Sequence, residues 1–188
     1  GPGPVTNNAL VIFNQSTDHT VATISGTGSV EQQGASRLTM TADNTYSGAT
    51  TIGSSGRLQV GNGGATGSLG SGAVTNNGAL IFNRTGTHTL STAVTGTGTF
   101  IKNGSSTLTL SGANSYDGNT YVSNGVVKLG ASQVIPDAGT TPTSTGWLIL
   151  DGSATVGGQV DLNGFNETVN ALSGVTGTVL GNITNSST

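Results

Sequence analysis

The sequence has no cysteine and few charged residues. Without a thiol, the chain has no disulfide framework, zinc knuckle or cysteine nucleophile. Only 7% of its 188 residues are charged and only five are basic. This argues against nucleic acid as a partner, because phosphate binding needs clustered positive charge. No apolar run approaches the length of a membrane-spanning helix.

Glycine and threonine, 32 of each, are the most frequent residues in this charge-poor composition. Such polar bias suggests disorder only when net charge is high, and here it is −3. The apolar residues alternate with threonine in short runs such as Thr107-Leu108-Thr109-Leu110. This alternation predicts strands, with Leu108 and Leu110 facing inward and Thr107 and Thr109 facing outward. We therefore expect an almost all-β chain.

The clearest pattern is an internal repeat of 69 to 70 residues. The matching segments are 5–14 with 74–83, 26–30 with 96–100, 44–48 with 114–118, and 56–61 with 125–130. A third, partial copy begins at Leu162 and continues to Gly177-Thr178-Val179. A long period of this kind predicts a solenoid, here with three coils of about 23 residues per repeat and about eight coils in all. An antiparallel sandwich or barrel is the alternative.

The repeat divides the chain into five parts. They are residues 1–4, an expression-tag remnant suggested by Gly1-Pro2; 5–73, the first repeat unit; 74–130, the second; 131–146, an irregular insertion; and 147–188, a partial third unit.

Four motifs in residues 96–130 resemble a known family. They are Gly96-Thr97-Gly98, Leu108-Thr109-Leu110-Ser111-Gly112, Asn114-Ser115-Tyr116-Asp117-Gly118, and the closing Gly125–Gly130 strand. Together they resemble the passenger-associated transport repeat of autotransporters. The first copy, 26–61, departs from this pattern at Glu31-Gln32-Gln33 and at Met40-Thr41-Ala42-Asp43. Residues 160–174 are similar to another segment that recurs in these passengers.

The resemblance implies a right-handed parallel β-helix that is exported through an outer-membrane β-barrel translocator and then displayed at the bacterial surface or released. Members of the family include adhesins, self-associating factors, toxins and receptor ligands, and the repeat itself aids folding and secretion. The long, charge-poor faces rich in Thr and Asn favour a non-enzymatic binding module, an adhesin or a receptor-binding or self-associating segment, without a cofactor. Its partner would be a host cell-surface or extracellular-matrix protein, or another molecule of the same chain. A passive stalk that presents a different functional domain is the alternative role.

Three aromatic residues are the candidate contact surface. Tyr46 and Tyr116 occupy equivalent Asn-x-Tyr-x-Gly turns, where each ring either covers the edge of the column or is offered to a ligand. Trp147 lies where the repeat breaks, and either anchors an irregular loop or joins an exposed patch.

Two sets of polar residues are candidates for a metal or catalytic site. His19 and His88 are repeat-equivalent, but three coils would separate them by about 14 Å, too far to share a metal; a surface or turn position is the expected one. Asp151, Asp161 and Glu167 are the closest acidic group. A polysaccharide-cleaving site there is the enzymatic alternative, although no basic residue lies nearby in sequence. We expect no catalytic or metal site.

Overall fold

The computed structural model describes residues 3–137, 146–151, 157–174 and 181–187. Gly1-Pro2, half of the proposed insertion (residues 138–145) and Gly177-Thr178-Val179 lie outside these ranges. Within them the chain forms strands and turns, and no helix that could span a membrane is found there.

The strands are short, from two to five residues each. In chain order they are β1 Val5–Thr6, β2 Leu10–Phe13, β3 His19–Val21, β4 Ile24–Ser25, β5 Ser29–Gln32, β6 Arg37–Met40, β7 Thr50–Ile52, β8 Arg57–Val60, β9 Val74–Asn76, β10 Ala79–Asn83, β11 Thr87–Leu90, β12 Val94–Gly96, β13 Thr99–Asn103, β14 Thr107–Leu110, β15 Ser115–Tyr116, β16 Thr120–Val122, β17 Val126–Leu129, β18 Trp147–Leu150, β19 Gln159–Asp161, β20 Ala171–Gly174 and β21 Asn182–Thr184.

These strands form three faces that follow one another along the chain. Face I is a six-stranded sheet, in the order β2-β5-β7-β9-β12-β15, and face II is an eight-stranded sheet, β3-β6-β8-β10-β13-β16-β18-β20. Face III consists of the β1-β4 pair and, further along, the sheet β11-β14-β17-β19-β21. All of these pairings are parallel. The predicted parallel solenoid of about eight turns is confirmed, and the antiparallel sandwich or barrel is wrong.

The coils are shorter than the sequence repeat suggested. Leu38 pairs with Leu58 and Leu80 pairs with Phe100, so a regular coil contains about 20 residues rather than 23. One repeat of 69 to 70 residues therefore forms three complete coils and one further face, about a third of a coil. Val11 lies on the first rung of face I, whereas its repeat equivalent Leu80 lies on the fourth rung of face II. Equivalent residues of the two copies are thus displaced by one face around the column.

The interior is a narrow column of aliphatic and aromatic side chains. Strand alternation places Leu108 and Leu110 inside, at 1% and 0% exposure, with Thr107 and Thr109 outside, as expected. Each inward residue packs on the residues one rung above and below it, so burial depends on neighbouring coils and not on a large globular core. The stacking continues across the boundary between the first and second repeat units, residues 73 and 74, because β7 pairs with β9 and β8 with β10.

Candidate functional site

Each copy of the repeat is long enough for its later strands to pair with its own earlier strands, one coil further along the column. In the first copy β5 pairs with β7 and β6 pairs with β8. In the second copy β13 pairs with β16 and β14 pairs with β17. The Asn-x-Tyr-x-Gly turn lies between β6 and β7 in the first copy and between β14 and β16 in the second. This is where the chain passes from one coil to the next, so the side chains of the turn can join successive coils.

The turn tyrosines lie inside the column. Tyr46 and Tyr116 are both 0% exposed, and each hydroxyl is 2.7 Å from a threonine hydroxyl, that of Thr50 or Thr120. Burial raises the pKa of both tyrosines. The Tyr116 ring also stacks on Phe100, with centroids 5.7 Å apart. Placing these two rings on a contact surface is therefore wrong, because neither is accessible to a ligand.

The turn asparagines link the coil before to the coil after. Asn44 Oδ1 accepts a hydrogen bond from the amide of Ile24 at 2.7 Å, and its Nδ2 donates to the carbonyl of Ser68 at 2.6 Å. In the second copy, Asn114 accepts from Val94 at 2.9 Å and donates to Val134 at 2.7 Å. One side chain thus satisfies backbone groups on two neighbouring coils, which explains why the motif needs an amide with both donor and acceptor.

The closing glycine of the turn permits close approach of the preceding coil. A Cβ on Gly118 would lie 2.1 Å from the carbonyl oxygen of Gly98, and one on Gly48 would lie 2.4 Å from that of Gly28. Both contacts are with backbone atoms, which cannot rotate away. The second glycine of the Gly-x-Gly motif and the closing glycine of the turn therefore lie against each other on successive coils.

A buried polar side chain lies at or next to the end of the first strand of each copy, β5 or β13. Lys102 is 0% exposed, and its Nζ donates to the carbonyls of Asn103, Gly104 and Asn124 at 2.8, 2.7 and 3.1 Å. Its equivalent Gln32 donates from Nε2 to the carbonyls of Gly34 and Ser36, each at 2.8 Å. The departure of the first copy from the family pattern at this position thus keeps the function of the side chain, which is to supply N–H groups to a turn.

Lys102→Gln should remove a pH dependence of stability that the wild-type protein shows above pH 8. Burial lowers the pKa of Lys102 from 10.5 to about 8. The unfolded chain therefore binds more protons than the folded chain between these values, and the free energy of unfolding should rise with pH, by at most about 1.4 kcal/mol per pH unit.

Urea denaturation at steps from pH 7 to about pH 9.5 measures this slope; above about pH 10 the ionisation of tyrosine in the unfolded chain opposes it. Lys128→Gln is the matched control and should keep the slope, since Lys128 lies partly exposed on β17. An unchanged slope in Lys102→Gln would contradict the assignment.

The outer surface of face II carries an apolar row. Ile81, Ile101, Tyr121 and Ile149 follow one another in register on β10, β13, β16 and β18. Ile81 and Ile149 are only 4% and 8% exposed, yet they lie outside the interior cluster, because their neighbours in each strand point inward. We call these four residues and Trp147 the outer stripe.

Trp147 is an exposed strand residue beside this row. Its side chain is 45% exposed, and its amide and that of Gly146 both donate to Asn119 Oδ1 at 3.0 Å. Asn119 Nδ2 in turn donates to the Tyr121 hydroxyl at 3.3 Å. Of the three aromatic residues singled out in the sequence, only Trp147 is available at the surface.

The two histidines occupy strands and not turns. His19 pairs with Leu38 and His88 with Leu108, so they stand on different faces, and both are half-buried. Each ring lies beside the phenylalanine of the preceding strand, Phe13 or Phe82, with centroids 6.2 and 6.0 Å apart. Their shared role is packing. Among the described residues no three His, Asp or Glu side chains converge on a metal position.

His88 also belongs to a cluster that fixes a loop. The buried Arg84 donates to the carbonyls of Ala65 and Gly67, lies 3.2 Å from His88 Nδ1, and is 3.7 Å from the Asp43 carboxylate. Burial and the Arg84 charge lower the pKa of His88. This guanidinium therefore tethers residues 61–67, where the coil is longer than its neighbours. Nothing in the sequence pattern pointed to it, because Arg84 has no counterpart in the first copy.

The acidic group does not form a shared site. Asp161 accepts hydrogen bonds from Asn163 and Ser186 and lies 3.7 Å from Lys128 Nζ. Burial raises the pKa of Asp161, but these hydrogen bonds and Lys128 outweigh it and the pKa is lowered. Glu167 instead accepts from the amide of Val134, and burial raises its pKa. Lys128 was missed because its neighbour across the sheet is far away in sequence.

The fold and repeat geometry agree with the comparison to known families. The family model for the passenger-associated transport repeat matches residues 30–60 and 100–129. No curated protein and no solved structure matches the chain. The protein is a parallel β-solenoid that carries this repeat twice, and its resemblance to an autotransporter passenger domain is confirmed. Such a repeat implies secretion or surface display, and linkage to an outer-membrane translocator in the full-length chain.

Proposed function

We propose that this segment is a non-catalytic, adhesin-like binding module of a surface-displayed passenger, and that it contacts other proteins through the outer stripe of face II. The observation that carries the proposal is the half-exposed Trp147 beside an apolar row in which Ile101 and Tyr121 are partly exposed. Tryptophan is among the residues that contribute most to protein interfaces, particularly when apolar neighbours exclude water around it.

The surroundings of the outer stripe support a contact with protein. Asn119 holds both the Trp147 backbone and the Tyr121 hydroxyl, so the aromatic pair is held in place before any partner arrives. A fixed arrangement loses less conformational entropy on binding. The residues in register with the pair, Ile101, Ile149 and Ala171, are uncharged, so a contact there would desolvate no charge at these positions.

Trp147→Ala should lower binding of the fragment to cells or to immobilised extracellular-matrix proteins by about tenfold, which corresponds to about 1.4 kcal/mol. Leu10→Ala is the matched control, since Leu10 is 54% exposed on face I and far from the outer stripe. Both variants should melt close to wild type, because both side chains are about half exposed and lie outside the interior cluster.

The measurement also separates the proposal from a passive stalk. The eight continuous rungs of face II favour the stalk as a second candidate, because such a sheet forms a stiff rod. A wild-type fragment that binds no cell, no matrix protein and no other molecule of itself would support the stalk. Equal losses in Trp147→Ala and Leu10→Ala would place the contact elsewhere.

A further inference from the structure

We propose that Asn124 is a site of self-modification, at which the backbone amide of Gly125 attacks the Asn124 side chain and converts it to a carboxylate. Such a modification is independent of the proposed binding role of face II. The hydrogen bonds of the glycine amides in the Asn-Gly pairs of the chain single out this residue.

Five Asn-Gly pairs occur in the chain, at residues 62–63, 77–78, 103–104, 124–125 and 163–164. In such a pair the glycine nitrogen can attack the asparagine Cγ and displace ammonia. Glycine favours this reaction because it has no Cβ to obstruct the approach. The nitrogen must also be free to move onto the side chain, so the hydrogen-bond partner of each glycine amide decides which pair reacts.

Three of the five glycine amides are bonded to another part of the chain. Their bonds are from Gly63 to the carbonyl of Asn83 at 2.8 Å, from Gly78 to Asn76 Oδ1 at 3.2 Å, and from Gly164 to Asn185 Oδ1 at 2.8 Å. An attack by any of these nitrogens has to break the existing bond first. We therefore expect these three pairs to react slowly in the folded protein.

The Gly125 amide is bonded to the side chain that it would attack. It donates to Oδ1 of Asn124 at 2.8 Å. Because Cγ is covalently bound to that oxygen, a rotation of the side-chain amide brings Cγ onto the Gly125 nitrogen and breaks no bond to another residue. The carbonyl of Gly125 accepts from the Gln159 amide at 2.8 Å, which holds the turn in place during the approach.

Lys102 is placed to activate the attacking amide. Its Nζ donates to the carbonyl of Asn124 at 3.1 Å. This oxygen belongs to the same peptide group as the Gly125 nitrogen, so it shares the negative charge when the nitrogen loses its proton. A buried ammonium at that oxygen stabilises the attacking anion. Lys102 is a positioning residue here, because it forms no bond to the reacting atoms.

The pair Asn103-Gly104 shares the lysine but not the contact. Lys102 Nζ also donates to the carbonyl of Asn103, at 2.8 Å. In the described part of the chain, however, the Asn103 side chain makes no hydrogen bond to the Gly104 amide. We therefore expect Asn103 to react more slowly than Asn124.

The reaction needs only water besides the chain itself. The Gly125 nitrogen gives up its proton and bonds to Asn124 Cγ, the bond from Cγ to Nδ2 breaks, and Nδ2 leaves with that proton as ammonia. The resulting succinimide ring is opened by water at either carbonyl, which gives aspartate or isoaspartate. The new carboxylate lies near Lys102, which takes part in no ion pair in the described ranges. It should therefore raise the lysine pKa.

Peptide mapping by mass spectrometry tests the site. Folded fragment is incubated at mildly alkaline pH, and the conversion of amide to carboxylate is followed at all five pairs. Asn124 should react fastest in the folded protein, whereas in urea, where the hydrogen bonds are lost, the five pairs should react at similar rates. The same order in both conditions, or a faster reaction at Asn62 than at Asn124, would overturn the proposal.

Asn124→Ser is the matched control. The first copy of the repeat has Ser55 at the equivalent position, so serine fits this turn. The variant should give the wild-type circular dichroism spectrum and lose most of the early release of ammonia. Undiminished early release would show that another asparagine is the reactive one.

Lys102→Gln tests the activation, because Gln32 occupies this position in the first copy and bonds to its turn in the same way. The variant should slow the reaction at Asn124 about tenfold and leave Asn163 unchanged. The wild-type rate should level off above about pH 8, where Lys102 loses its proton, whereas the rate in the variant should keep rising with pH. Equal rates with the same pH profile would overturn the role of Lys102.

Discussion

Tyr116→Ala should lower the free energy of unfolding by about 3 to 5 kcal/mol, the usual cost of removing a large aromatic side chain from a packed interior. The Tyr116 ring is fully buried and stacks on Phe100, and its hydroxyl is bonded to Thr120. Its removal leaves a cavity at the point where a coil closes, and the narrow column has few other side chains to fill it. Urea denaturation measures the change.

Two further variants test the contribution of the Tyr116 hydroxyl and compare Tyr116 with a partly exposed tyrosine, Tyr121. Tyr116→Phe should cost about 1 to 2 kcal/mol, because the buried Thr120 hydroxyl loses its partner. Tyr121→Ala, on the outer face of the same sheet region, should cost less than about 1 kcal/mol. A loss below about 1 kcal/mol in Tyr116→Ala would contradict a structural role for the turn tyrosine.

The sequence predicts the architecture well because the architecture is periodic. Alternation in Thr107–Leu110 placed each side chain on the correct side of its strand, and the long repeat pointed to a solenoid and not a sandwich. The coil length was wrong because the repeat does not contain a whole number of coils. Residue spacing reveals the period of the sequence, whereas the period of the structure depends on which strands pair, and pairing is not visible in the repeat.

The candidate site was only partly predictable. A tyrosine between Asn and Gly reads as a turn residue, and turns usually lie at the surface. In this fold the turn is stacked between neighbouring coils, and the tyrosine ring packs in the interior of the column, where Tyr116 contacts Phe100. The outer stripe was missed because Ile81, Ile101, Tyr121 and Ile149 are about 20 or more residues apart, and only the pairing register brings them together.

Deletion of residues 79–88 should abolish cooperative folding, whereas deletion of residues 79–98 should not. Ala79 pairs with Thr99, so the longer deletion joins Gly78 to Thr99 and removes one complete coil. Every later strand then keeps its face and its inward side chains. The shorter deletion removes about half a coil, so each later strand moves to another face and loses its register.

Thermal melting of these two variants, followed by circular dichroism, tests most directly whether neighbouring coils alone hold the column together. We expect the longer deletion to keep a β-type spectrum and a cooperative transition, at a somewhat lower melting temperature because one set of neighbour contacts is gone. We expect the shorter deletion, although it removes fewer residues, to have no cooperative transition. Equal disruption by both deletions, or a shorter deletion that melts like the wild type, would contradict the stacked column.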